Sequence, residues 1–205
     1  MQTSFEIVFP VGAAGNFIKY WIGIGLKFFE EKNPIALKDW DKFYPNAPSD
    51  FDSDVKHVSE WCEEINEYCV HDKRLPGRHP SYIMFNDPKH TVPDNFKRIL
   101  VQCDNVKDYV VKVMQIKKQK SLVEMSSIDV VNKDHKVSNA VNKHLMKQNV
   151  PCIILDYKKF FIKQDQSHID EVAKFVGFVS NSTSNNLIKY YTERNNKLYE
   201  SNSIH

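Results

Sequence analysis

The chain has 205 residues, with 41% hydrophobic side chains and 28 Lys and Arg against 26 Asp and Glu. That length suits one domain with a proper core, expected to span 1–205. A net charge of +2 gives no bulk electrostatic case for nucleic acid or for a membrane surface. The four cysteines, Cys62, Cys69, Cys103 and Cys152, are scattered. They match neither zinc-ligand spacing nor a disulfide framework, so reduced thiols in a soluble, cytoplasmic protein are expected.

In chain order, the first element is an apolar run from Phe5 to Phe9, read as a buried strand that Pro10 ends. Next come Gly12, Ala13, Ala14 and Gly15, and then an apolar segment of helical length. Its helix is expected over Asn16–Lys32, with Asn16 as cap. Lys19 and Lys27 within that segment argue for a buried helix over a membrane span. Strand, small-residue turn and helix together aim backbone N–H groups and a helix dipole at one point, which suits a phosphate or sulfate. Bulky side chains at 12–15 would hold such an anion away. The same two glycines also serve a plain tight turn with close helix packing. The loop is not a Walker A motif, because Asn16 and Phe17 follow Gly15 where Lys and Ser or Thr are required.

Residues 34–54 read as an irregular connection with Trp40, Phe43 and Tyr44 folded onto the body, either a lid over an acceptor pocket or a structural cover. An amphipathic helix is expected over 54–68, then a turn-rich segment over 69–80 containing His71 and His79. Ser81–Phe85 and Arg98–Cys103 read as strands, the latter the most central. A helix follows over 106–118, a polar stretch over 119–134, and a helix over 136–148. Cys152–Asp156 is the next strand; helices over 167–176, closed by Gly177, and 184–199 complete the chain. Apolar strand runs alternating with helices predict an α/β fold: three layers, a mostly parallel sheet of about four to five strands, helices on both faces. In such sheets ligands bind at the carboxyl ends of strands, where the 10–16, 86–93 and 103–106 segments would converge.

Several segments, in order, resemble the P-loop-like sulfotransferases. Phe9-Pro10 with Gly15-Asn16-Phe17 resembles the loop that holds the 5′-phosphosulfate. His90-Thr91-Val92-Pro93 through Asp104-Asn105-Val106-Lys107-Asp108 resembles the middle motif. Leu155-Asp156-Tyr157-Lys158-Lys159-Phe160 and Ala173-Lys174-Phe175-Val176-Gly177 resemble the late one. The resemblance implies a P-loop NTPase-like fold and transfer of a sulfuryl group from 3′-phosphoadenosine-5′-phosphosulfate, without a metal, to a hydroxyl or amine on a small-molecule or glycan acceptor. It implies donor contacts from Gly12, Ala13, Ala14, Gly15, Asn16 and Phe17, with Lys107 or Lys112 as the source of positive charge in place of the family's Arg. It places the base just after the second strand, at His90 or Asp87, with His71 and His79 as outsiders. His90 is the better base because imidazole titrates near neutrality. Two departures bear on activity: Val11–Ala14 carries no basic residue, and the family's 3′-phosphate Arg aligns with Asp104. The alternatives are a non-catalytic anion-binding or structural protein retaining the fold, and another nucleotide-dependent transferase such as a small kinase.

Overall fold

The computed structural model describes residues 4–10, 12–26, 69–71, 81–83, 96–119 and 128–201. Three strands run parallel: β1 (Ser4–Val8), β4 (Phe96–Gln102) and β5 (Cys152–Asp156). The register sets Val8 beside Leu100, and Gln102 beside Asp156. Two three-residue strands, β2 (Cys69–His71) and β3 (Ser81–Ile83), extend the sheet beyond β1, giving the order β2-β3-β1-β4-β5. Both run antiparallel, β3 to β1 and β2 to β3. This corrects the expected four to five mostly parallel strands: the parallel part has three. The physical reason lies in the connection. Residues 72–80 are too few for the crossover of a dozen or more that parallel neighbours require. Among the parallel strands β4 is the middle one, while β1 is the middle of the whole order.

The period-two alternation of the strands sends two sets of side chains to opposite faces. On one face Phe5, Ile7, Ile99, Val101 and Leu155 are buried with Ile18, Trp21 and Ile22 of α1 (Gly15–Gly25). Val172 and Ala173 of α4 (Gln166–Val176) and Leu187 and Ile188 of α5 (Ser182–Ser201) complete that core. The Trp21 indole N–H donates to the Ser184 carbonyl at 3.1 Å, tying α1 to α5. On the other face Val8 and Leu100 pack on Leu145 and Val141 of α3 (Ile128–Met146). The same face buries an ion pair between register partners Glu6 and Arg98. Arg98 also donates to the Leu145 carbonyl at 3.1 Å and to Gln148 Oε1 at 2.8 Å. Several acceptors for one guanidinium are what a buried charge needs to offset its desolvation.

Helix boundaries follow the expected pattern where the helix face is apolar. The α4 helix starts under Asp165, whose side chain accepts from the Ser167 and His168 N–H groups. It ends at Gly177, which takes the left-handed conformation at φ 117° as expected. After a 3-10 turn at Asp104–Val106, α2 covers Lys107–Gln119. The α1 helix ends at Gly25 with Leu26 as its C-cap, short of the expected Lys32, and two helix starts also differ. The α3 helix begins at Ile128 rather than 136, because its first turns carry Asp129, Asn132, Lys133, Asp134 and the buried polar His135, which hide the helical period. The α1 helix begins at Gly15 with Ala14, not Asn16, as its cap, and no side chain caps it. The aromatic connection over 34–54 and the helix over 54–68 lie outside the described residues. Among the described residues no helix is long and apolar enough to cross a membrane.

Candidate anion-binding site

The turn between β1 and α1 closes through a hydrogen bond from the Ala13 N–H to the Pro10 carbonyl, at 3.0 Å. Gly12 stands third in that four-residue turn with φ 86°, a position where glycine avoids the steric penalty of a side chain. Ala14 is also left-handed, at φ 62° and ψ 22°. A β-carbon costs about 1–2 kcal/mol there, so the surrounding packing must hold this residue in place. Ala14 then accepts the first rung of α1, from the Ile18 N–H at 2.9 Å. The N–H groups of Gly15, Asn16 and Phe17 therefore precede the helical ladder. A backbone that alternates into the left-handed region twice within three residues forms the kind of concave N–H array that favours anions. The first turn of α1 carries no acidic residue to neutralise its dipole. Ala13 is fully buried and Ala14 nearly so.

Protein side chains occupy the space beside both glycines. A β-carbon on Gly12 would stand 2.3 Å from Met114 Cγ of α2, and one on Gly15 would stand 2.2 Å from the Phe9 ring. The glycines thus serve close packing, of α2 over the turn and of Phe9 across the start of α1. Phe17 stacks with Tyr191, centroids 4.5 Å apart, and meets Phe161 edge-on at 5.4 Å. Its ring belongs to the aromatic packing rather than lying free for an adenine. Lys112 is exposed on α2. It lies roughly opposite Val110 and Met114 on the helix, by the 3.6-residue period, and those two residues face Gly12. The helix therefore directs Lys112 away from the turn, and the positive charge expected from it is not brought there. Gly12, Ala13, Ala14, Gly15 and Phe17 do come together in one turn, along with the backbone of Asn16. His90 and Asp87, the expected bases, and His79 lie outside the described residues. His71 is placed in β2.

A second group of polar residues gathers where β4 and β5 end. Gln102, Cys103, Asp104, Asn105, Val106, Asp156 and Lys158 line a shallow depression. Gln102 Nε2 donates to Asp104 Oδ2 at 3.1 Å, which orients that carboxylate. Asp156 accepts from the Lys159 N–H, and its own N–H donates to His168 Nε2, each at 3.1 Å. His168 Nε2 is therefore an acceptor, which leaves the ring proton on Nδ1, facing Glu171 Oε2 at 3.3 Å. Asp104 opens the 3-10 turn just after the middle parallel strand. The lining holds two carboxylates and one lysine, a poor electrostatic setting for a phosphate.

One pair at this edge was not legible from spacing. Cys103, the residue after β4, has Sγ 3.3 Å from Nδ1 of His135 on α3. Both are buried. The available signal was a cysteine directly behind an apolar strand; its partner sat between the stretch read as polar and the helix expected from 136. Nearby, burial pushes the Tyr157 hydroxyl well above its usual pKa, with Tyr191, Tyr109 and Cys103 adding to the rise. Burial likewise raises Tyr109, whose hydroxyl donates to Asn196 Oδ1 at 2.7 Å. Among the described residues no three His, Cys, Asp or Glu side chains gather as metal ligands would.

Comparison of the chain with protein-family models, with curated proteins and with solved structures finds no match.

Proposed function

We propose that this chain binds a phosphate- or sulfate-bearing nucleotide at the β1–α1 turn and belongs with the P-loop-like sulfotransferases, using 3′-phosphoadenosine-5′-phosphosulfate as donor. The observation that carries the reading is the turn itself. It has two left-handed residues, an uncapped helix N-terminus without an acid, and small side chains at the carboxyl edge of a parallel sheet. Backbone N–H groups there would stabilise charge on the leaving phosphate, and His90 or Asp87 would take the acceptor's proton. The test is release of 3′-phosphoadenosine-5′-phosphate from the donor in the presence of a panel of hydroxyl and amine acceptors, with and without a magnesium chelator. Acceptor-dependent release that survives chelation supports the reading. Transfer that requires Mg²⁺ and a nucleoside triphosphate instead would assign a kinase.

A specific observation favours a second reading, a protein that keeps the fold without catalysis. Met114 and Phe9 fill the space beside Gly12 and Gly15, and Asp104 stands at the edge of β4. Failure to bind any adenine nucleotide would select it.

A further inference from the structure

We propose that the outer face of α3 binds an anionic lipid surface through a line of lysines. The face lies across the sheet from α1 and does not depend on the function proposed above. A separation of charge carries the inference, and the whole-chain balance hides it. Four lysines and one aspartate fall within residues 133–147, a net of +3 where the entire chain carries +2. By the 3.6-residue period Lys133, Lys136 and Lys143 fall on one side of α3, with Ala140 and His144 among them. Lys147 continues the line in the turn that follows, where its N–H donates to the His144 carbonyl at 3.2 Å. The sheet fixes where that side points. Ser138, Asn142 and Leu145 are buried on the opposite side of the helix, so the lysines face outward, and all four are exposed. Asp129 precedes the line and Asp134 falls off it by the same period.

An ordinary solvated helix face mixes signs, because lysines three or four residues apart repel. Lys133 with Lys136, and Lys143 with Lys147, stand at those spacings, and among the described residues none of the four makes an ion pair. The helix dipole accounts for Lys143 in the last turn but not for Lys133 and Lys136, which lie in the other half of α3. A dense anionic surface relieves the repulsion. The chemistry of the face selects lipid over nucleic acid. It carries no arginine, whose planar fork suits phosphate chains and base edges, and no aromatic ring for a base to stack on. Lysine point charges suit the diffuse field of an anionic leaflet. Val137 and Met146 flank the line, 38% and 47% exposed, two of the four exposed large hydrophobic side chains among the described residues. Apolar groups beside lysines gain from a lipid interface and nothing from a phosphate backbone. The line runs about 21 Å along a single helix, so all four lysines can meet one flat surface.

The experiment is co-sedimentation of the full chain with vesicles of phosphatidylcholine alone and of phosphatidylcholine mixed with phosphatidylserine. The variants are Lys136→Gln with Lys143→Gln, and a control pair of equal charge change, Lys174→Gln with Lys197→Gln, exposed on α4 and α5. Each lysine near an anionic leaflet changes partitioning about fivefold, so the α3 pair should lower it about thirtyfold and the control pair by less than about twofold. Binding that requires phosphatidylserine, fades with added salt and falls only in the α3 pair is the expected result. No binding to either vesicle, or equal losses in the two pairs, overturns the proposal. So does α3-dependent binding to a short DNA duplex without binding to vesicles, which would assign a nucleic acid. If the α3 pair does not fold, lysine acetylation of the wild type decides. Phosphatidylserine vesicles should slow modification of Lys136 and Lys143 but not of Lys174 and Lys197. Unchanged rates at Lys136 and Lys143 refute the proposal.

Discussion

Gly12→Ala tests whether the β1–α1 turn is held by protein packing. The new methyl would stand 2.3 Å from Met114 Cγ and 3.1 Å from Met114 Sδ, at a residue with φ +86°. The left-handed backbone alone costs about 1–2 kcal/mol for an alanine. Overpacking against Met114 adds about 1–3 kcal/mol, since Cγ lies near the root of that side chain and cannot swing clear. The sum is roughly 2–5 kcal/mol, a drop of about 1–2.5 M in the urea midpoint at a slope near 2 kcal/mol/M. The assay is urea unfolding followed by circular dichroism, on the wild type, Gly12→Ala, Met114→Ala and the double variant. Truncating Met114 leaves a cavity and is costly by itself. In the double variant the alanine methyl occupies part of that cavity. Its loss should fall short of the summed single losses by about 1–3 kcal/mol. Additive losses, or a Gly12→Ala cost below about 0.5 kcal/mol, would refute the reasoning.

Gly177→Ala isolates the backbone component, because no atom lies within 4 Å of its β-carbon position and φ is +117°. The same unfolding assay should show a loss of about 1–2 kcal/mol with no rescue from any neighbour. Glu6→Ala should destabilise by about 3–5 kcal/mol, since it leaves the Arg98 guanidinium buried without its carboxylate. Glu6→Leu combined with Arg98→Met should cost less than Glu6→Ala alone, by chemical denaturation. Alkaline stability should carry the signature of Tyr157. Its folded pKa is raised, so its contribution is complete below the unfolded value near 10 and is lost as pH rises above that. The slope is about 1.4 kcal/mol per pH unit, and Tyr157→Phe should abolish that share of the slope.

The sequence was most informative where one physical signal dominated a segment. The run Cys152-Ile153-Ile154-Leu155-Asp156, fenced by Pro151, is the edge strand of the parallel set. Gly177 closes α4 because a left-handed residue is needed there. Where polar residues are buried, the pattern was silent. Glu6 and Arg98 sit inside strands and meet each other across the register, which no local window contains. The first two turns of α3 carry Asp129, Asn132, Lys133, Asp134 and His135, so they looked like loop. The strand Cys69–His71 is too short to show a period. Ala14 carries no mark of its left-handed backbone, since alanine there is set by the turn it must complete. The candidate site divides in the same way. Residues 12–15 were legible as a turn because glycine and alanine have few other uses between a strand and a helix. Lys112 was not, because its direction depends on which face of α2 covers Gly12.

The central claim is that the β1–α1 turn holds an anionic nucleotide, and calorimetric binding of 3′-phosphoadenosine-5′-phosphate tests it most directly. Ala14→Asp and Ala14→Asn are the paired variants, since both residues tolerate the left-handed region and differ in charge. Micromolar binding, about 8 kcal/mol, that survives in Ala14→Asn and is lost in Ala14→Asp is the predicted result. No binding by the folded wild type, or equal binding by both variants, would contradict it and leave the turn a packing device beneath Met114 and Phe9.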